Sequence, residues 1–234
     1  MTVTKTFYEK SYADLGFAAQ RRYPNEELLR FMGRNFFGID LAQRRDMKIL
    51  ELGCGSGANL WMVAREGFQA YGIDLSEESL KLCKMMLDSW GVAADLVSGD
   101  MSALHYKPAM FNAVLDVFSA YCLDEAGFQK CMDEVARVLK TGGRYFSYAP
   151  AKNSDAFKNY APAYKIDDST LNGILRTTSP YSGQTYPFRF ISREEYAAAL
   201  QGRGFVITSN ESIGRTYRGG NKYFEFVSIA AQKA

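Results

Sequence analysis

A doubly wound α/β fold built on a mostly parallel sheet is what three features of the sequence predict. Compact apolar runs alternate with amphipathic stretches from residue 47 to residue 148, the pattern of a parallel sheet covered by helices on both faces. The first run, Ile49-Leu50-Glu51-Leu52, passes directly into the alternate glycines Gly53, Gly55 and Gly57. The last two strand-like runs, residues 205–208 and 223–230, have no helical stretch between them, which implies an antiparallel pair at the end of the sheet.

Each element follows from local chemistry. Asn25, after Pro24 and before Glu26 and Glu27, opens a helix that carries Leu28, Leu29, Met32 and Phe36. Residues 47–52 read as a buried strand and 58–66 as a helix stopped by Gly67. Residues 70–73 form a second strand, and Ser76 caps a helix with Leu80, Cys83, Leu87 and Trp90 near one face. Residues 95–97 and 111–117 are the third and fourth strands. Residues 124–140 form a helix with Phe128, Cys131, Val135 and Leu139 on one side. Arg137 and Lys140 complement its C-terminal dipole and Gly142-Gly143 end it. Residues 144–148 are the fifth strand. Residues 150–190 turn to Pro, Asn, Asp, Ser and Tyr without periodicity, as a lid or insertion does. Ser192-Arg193-Glu194-Glu195 is a capping box opening a last helix that stops near Gly202 and Gly204. The expected organisation is a single domain over residues 1–234. It comprises an N-terminal helical cap (1–46), a core (47–150), a lid (151–190) and the end of the sheet (191–234).

Composition narrows the function. A chain of 234 residues that is 47% hydrophobic and 23% charged buries a full core without disulfides or a structural metal. Its 28 basic and 26 acidic residues leave a net charge of only +2, which argues against nucleic acid as a partner. No apolar run approaches the roughly 18 residues of a membrane span. No apolar stretch near the start resembles a signal peptide, so a cytoplasmic protein is expected. Cys54, Cys83, Cys122 and Cys131 form no C-x-x-C pair, and His105 is the single histidine. No metal site and no Cys-His nucleophile pair is expected, and the segment around Ser56 is not a nucleophile elbow.

The glycine loop is the most informative segment. Without Cβ atoms the chain turns sharply and lets a ligand approach its backbone at the carboxyl end of a strand. Gly53, Gly55 and Ala58 also satisfy a looser dinucleotide pattern, so spacing alone indicates a nucleotide of unspecified type. Asp74 follows the second strand, where an acid can accept both ribose hydroxyls. Asp100 follows the third strand beside Met101, a pairing that suits an adenine. Either acid alone is equally an ordinary turn or cap residue; together, in register with the loop, they point to a nucleoside.

These residues resemble the class I S-adenosylmethionine-dependent methyltransferases. The resemblance rests on Glu51-Leu52-Gly53-Cys54-Gly55-Ser56-Gly57, on Gly72-Ile73-Asp74-Leu75-Ser76 and on Gly99-Asp100-Met101. It extends through the run Phe111 to Asp116 and through Glu134 to Gly143, and covers about residues 47–148. It implies a Rossmann-like sheet of seven strands with an antiparallel terminal strand, and S-adenosylmethionine as cofactor with S-adenosylhomocysteine as product. By the same resemblance, Glu51, Gly53, Gly55 and Gly57 hold the methionine part. Asp74 and Leu75 hold the ribose, Asp100 and Met101 the adenine, and Asp116 and Val117 line the methionyl end. In related enzymes the N-terminal segment supplies an aromatic and an arginine, for which Tyr8, Tyr12, Arg21 and Arg22 are candidates. Tyr12 and Arg22 are the preferred pair, Arg22 as a carboxylate fork or as an ordinary solvated arginine.

Relatives carry a His-His pair after the fourth strand, where this chain has Tyr121-Cys122. Histidine general-base catalysis is therefore not expected there, and Tyr121 is assigned to positioning. His105 reads as a surface turn residue. Tyrosines cluster at Tyr8, Tyr12 and Tyr23 on one side and at Tyr160, Tyr164, Tyr181 and Tyr186 on the other. They suggest an aromatic enclosure for a small molecule such as a sugar or compact metabolite, or simply lid packing. The +2 total hides a net −4 in residues 47–150 and +3 in residues 151–221, which points to an anionic small-molecule substrate. Two other readings remain: a nicotinamide oxidoreductase using the same glycines, and a non-catalytic adenosylmethionine-binding partner protein. Protein or RNA methylation has no positive support.

Overall fold

The chain, as a computed structural model, is described from residue 2 to residue 234. The cap is α1 (Val3–Leu15), a 3-10 turn at Gly16–Ala19, α2 (Glu26–Asn35) and α3 (Leu41–Arg44). The core runs β1 (Lys48–Leu52), α4 (Leu60–Arg65), β2 (Gln69–Asp74), α5 (Glu77–Ser89), β3 (Asp95–Ser98), β4 (Phe111–Val117), α6 (Glu125–Val138) and β5 (Leu139–Pro150). A short helix α7 (Asp155–Lys158) and a two-stranded ribbon, β6 (Thr170–Leu171) with β7 (Phe188–Arg189), organise the next segment. The chain then continues through α8 (Arg193–Gln201), β8 (Phe205–Tyr217) and β9 (Lys222–Lys233).

The seven-stranded sheet has the order β3-β2-β1-β4-β5-β9-β8. All neighbours are parallel except β9, which is antiparallel to both β5 and β8. The sequence reversal after β3 places a topological switch between β1 and β4, whose carboxyl ends open the crevice where open α/β sheets bind ligands. Strand alternation divides the core. Ala113, Leu115 and Val117 of β4 pack with α2, α4 and α5 residues such as Phe31, Val63 and Cys83. Val114 faces the opposite way, toward Cys131 and Val135 of α6 and Tyr196 of α8.

The caps form as the sequence indicates. Asn25 Oδ1 accepts from Glu27 N and Leu28 N at 2.9 and 3.1 Å, Ser76 Oγ accepts from Ser79 N at 3.1 Å, and the Ser192–Glu195 capping box closes in both directions. Two expectations are corrected. Gly142-Gly143 do not end α6; the helix stops at Val138 and Leu139 already pairs with Phe111. The register then jumps to Ala113 with Arg144, so the glycines sit in a bulge, with Gly142 at φ +74. Lys140 accordingly donates to Asn112 Oδ1 at 3.1 Å rather than to the helix end. The last hairpin is also far longer than the apolar runs 205–208 and 223–230: residues 214–217 of β8 pair with residues 222–225 of β9 beyond the end of β5. On the β8 side this overhang is mostly exposed and has no apolar periodicity to reveal it.

Candidate active site

Above the β1–β4 switch lies a cavity of about 540 Å³, in the range of small-molecule sites. Its floor is the loop Gly53 to Asn59 and its far wall is aromatic. Gly53, Gly55 and Gly57 adopt φ of +59°, +53° and +82°, a region open to glycine and strained for other residues. Each is also pressed by a different neighbour. An added Cβ would lie 2.4 Å from Ser119 Cβ at Gly53, 2.8 Å from the Tyr12 hydroxyl at Gly55 and 2.8 Å from Cys83 Sγ at Gly57.

Glu51 is buried at the loop end. Asn59 Nδ2 donates to its Oε1 at 2.6 Å, while Oε2 has no partner. Burial pushes its carboxyl up to about 8, against the Asn59 hydrogen bond and the Arg21 charge, which pull it down. An orphaned buried carboxylate oxygen facing a cavity is a receptor for a cation or donor. Arg21 lines the same end and forms no salt bridge among the described residues.

A second, small cavity of about 70 Å³ adjoins the first, lined by Asp74, Leu75, Met101, Tyr8, Tyr12 and Thr4 among others. Asp74 Oδ2 accepts from Gly55 N and Oδ1 from Ser76 N, each at 2.9 Å. Burial raises its carboxyl above the usual range. Asp100 lies outside both linings: its Oδ1 takes Ser102 N and Oγ at 2.8 and 2.7 Å in a local turn.

Two sequence assignments move. Asp116 shares the α6–α8 face with Val114 and does not line the cavity. Ser119 N, Ser119 Oγ and Ala120 N donate to its Oδ1 at 3.1, 2.6 and 3.0 Å, and Ser147 Oγ donates to Oδ2 at 2.8 Å. It is a saturated strut of the turn after β4, whereas Val117, one residue on, does line the cavity. Arg22 lies over the Phe17 ring, 5.7 Å from its centroid, in a separate depression with Tyr23 and Trp90. Its neighbour Arg21 takes the place beside Glu51.

Of the tyrosines, Tyr23 and Tyr164 are exposed, Tyr181 is partly exposed while lining the cavity, and Tyr160 does not line it. Tyr8, Tyr121 and Tyr186 bring three hydroxyls together. Tyr8 bonds Tyr121 and Tyr186, the latter at 2.6 Å, and Tyr121 bonds Tyr186 at 2.7 Å. This trio ties the cap (Tyr8), the turn after β4 (Tyr121) and the lid (Tyr186). Burial pushes all three phenols well up from 10, which keeps them protonated, with their hydrogens shared within the trio. His105 is exposed beside Tyr106, away from the cavity.

Residues that sequence reasoning missed form the far end: Phe118, Tyr148, Gln184, Arg215, Tyr217 and Phe226. Arg215 and Tyr217 alternate on the overhanging part of β8, so both reach the cavity from one face, a spacing that carries no signal in a polar strand.

Comparison with known proteins places these features in context. Residues 49–143 match the family model described as "Methyltransferase domain". A ubiquinone biosynthesis O-methyltransferase of Thiobacillus denitrificans is 30% identical over 174 residues, covering 73% of this chain and 68% of that one. A phthiotriol/phenolphthiotriol dimycocerosates methyltransferase of Mycobacterium tuberculosis is 27% identical over 208 residues, covering 84% and 73%. Among solved structures, the 1,6-didemethyltoxoflavin-N1-methyltransferase of Burkholderia thailandensis, with its substrate and S-adenosylhomocysteine bound, superposes with a TM-score of 0.65. It is 15% identical and covers 99% of this chain and 88% of that one.

Proposed function

The chain belongs to the class I S-adenosylmethionine-dependent methyltransferases and is an enzyme of that family, and from that premise we propose that it methylates a small anionic molecule by direct displacement. The observation that carries this reading is the 540 Å³ cavity over the β1–β4 switch, with a carboxyl group left without a second partner and, among the described residues, an arginine outside any salt bridge at the glycine loop, and an aromatic chamber opposite. Relatives named for ubiquinone biosynthesis and for didemethyltoxoflavin methylation support a small-molecule acceptor. Residues 1–234 are treated as one unit, because cap, core, lid and hairpin all contribute to that cavity. The four buried, unpaired cysteines suit a reducing compartment, so we place the enzyme in the cytoplasm.

The residues fit the cofactor. Glu51 Oε2 faces where an ammonium can donate, Arg21 is free to hold a carboxylate, and Gly53 and Gly55 leave their backbone open to approach. Asp74, with a lone pair left on each oxygen, would accept ribose hydroxyls. Leu75 and Met101 would pack on the adenine beside Asp100. S-adenosylmethionine supplies a methyl already activated by the positive sulfur it leaves. The protein's own task is alignment and exclusion of water, with Val117 and Phe118 as walls and Tyr121 positioning the acceptor. No base of suitable strength lines the acceptor end among the described residues. Glu26 is exposed and paired with Arg30 at 3.2 Å, and the phenols are pushed up. The acceptor must therefore ionise readily or react neutral, and the pH dependence of turnover should follow the acceptor's own ionisation.

The adjoining 70 Å³ cavity has room for a few waters at about 30 Å³ each, not for a nucleoside. α1, which carries Thr4, Tyr8 and Tyr12 onto it, must swing out to admit one, and Gly16, at φ +49° with open space where a Cβ would be, is the hinge. S-adenosylhomocysteine is expected to slow amide exchange across α1, and Tyr186→Phe, which opens the phenol trio, to speed exchange of α1 in the free protein. Unchanged exchange in both cases rejects the opening cap.

The test of function is calorimetric titration with S-adenosylhomocysteine and with NAD, followed by methyl-release assays on panels of acids, hydroxyl compounds and amines. Binding of the first ligand alone and turnover confined to the acidic panel are expected. Tight NAD binding, or turnover only with cationic amines, would overturn the reading.

A further inference from the structure

We propose that the far end of the cavity is built for a planar aromatic acid, its carboxylate held by Arg215 and its ring laid against the aromatic wall of Phe118, Tyr181 and Phe226; this rests on the methyltransferase reading above. Phe118 and Tyr181 are both in the left-handed region, at φ +59° and +60°, where a bulky side chain is strained. Two such residues pack side by side in the wall of this chamber, with ring centroids 5.2 Å apart. Backbone strain shared by two lining residues marks a place where position is held for a ligand. Phe226 completes the wall, 5.8 Å from Phe118 and 6.2 Å from Tyr181 at 90°, and itself stacks on Tyr148 at 4.5 Å and 16°. Packed on one another, these rings form one aromatic wall, and its cavity-facing side offers a surface on which a further flat ring can stack.

The polar groups are few and specific. Arg215 stands on the hairpin overhang, paired through Phe224 and beyond the reach of β5. It enters no salt bridge among the described residues and lies against the Tyr148 phenol. Its planar fork matches a carboxylate. The other lining arginine, Arg21, is at the opposite end beside Glu51, so one cation serves each end of the cavity. Gln184, also in the lining, has a buried Oε1 without a partner. That orphan calls for a donor on the ligand, which makes the class a hydroxy- or amino-substituted aromatic acid.

The probes are 2-hydroxybenzoate and 2-aminobenzoate, each compared with phenol and aniline, titrated into the full chain saturated with S-adenosylhomocysteine. The carboxylates are expected to bind about 10- to 100-fold more tightly than their decarboxylated partners. Arg215→Met should erase that margin and leave affinity for S-adenosylhomocysteine unchanged, which also certifies the variant's fold. Arg215→Lys should restore only part of it. If S-adenosylhomocysteine fails to bind the wild type, the methyltransferase reading itself is at fault. If it binds but the carboxylates gain nothing over phenol and aniline, or Arg215→Met leaves their margin intact, the aromatic-acid site is wrong.

Discussion

Gly53→Ala is expected to destabilise the protein by about 2–5 kcal/mol and to abolish S-adenosylhomocysteine binding at concentrations that saturate the wild type. Two costs combine. A left-handed φ of +59° costs a non-glycine residue roughly 1–2 kcal/mol. The new methyl would also lie 2.4 Å from Ser119 Cβ, and overpacking of this kind costs about 1–3 kcal/mol. Ser119 cannot step aside freely, because its Oγ donates to Leu52 O at 2.7 Å and to Asp116 Oδ1 at 2.6 Å. Relief therefore falls on the loop, whose backbone would withdraw from the cofactor position. Gly67→Ala is the matched control: its φ is +90° but its nearest neighbour is Leu41 Cδ2 at 3.6 Å. It should show the strain cost alone and normal binding. Urea unfolding and calorimetry on both variants decide the matter; equal effects at Gly53 and Gly67 would mean that contact with Ser119 is irrelevant.

The difference between these glycines also explains how much of the molecule was legible in the sequence. Elements written in local chemistry were readable: apolar β1 and β4, the Asn25, Ser76 and Ser192 caps, and the strand-glycine-helix junction. The seven-stranded, mostly parallel sheet with its antiparallel end followed from the family resemblance and from the two consecutive strands at the end of the chain. Features that depend on which way a side chain turns after the chain folds were not readable. Asp116 and Val117 are adjacent in sequence, yet alternation sends one under α8 and the other into the cavity. Arg21 and Arg22 are also adjacent, and only the path of the chain after the 3-10 turn selects Arg21. The lid carries no periodicity, and its contribution of Tyr181, Gln184 and Tyr186 comes from loop geometry. Arg215 is the plainest case, since a lone arginine in a polar strand signals nothing until the hairpin overhangs the sheet and brings it to Tyr148.

S-adenosylhomocysteine affinity should rise with pH between about 6 and 8, by up to about tenfold per pH unit, and Glu51→Gln should flatten that rise while weakening binding about 10- to 100-fold at pH 8. Free Glu51 holds its proton to about 8, because burial penalises the carboxylate and Asn59 and Arg21 compensate only in part. A ligand ammonium at the unpartnered Oε2 favours the charged form, so binding expels the proton and is strengthened as pH climbs toward 8. The same group has the opposite effect on the free protein. Its folded pKa lies above the ordinary 4.5, so the folded state retains a proton that the unfolded chain has released. Stability contributed by this group is present below about 4.5 and is lost as pH rises to about 8. Asp74, also raised by burial, adds in the same sense. Calorimetry in buffers of different ionisation enthalpy measures the proton directly: release on binding for the wild type is expected to fall sharply in Glu51→Gln, leaving only what Asp74 contributes. Undiminished proton release by the variant would show that Glu51 is not the group that answers the ligand's charge. A buried acid without a second partner is thus destabilising to the empty fold and favourable to the loaded one, which is why the loop keeps it.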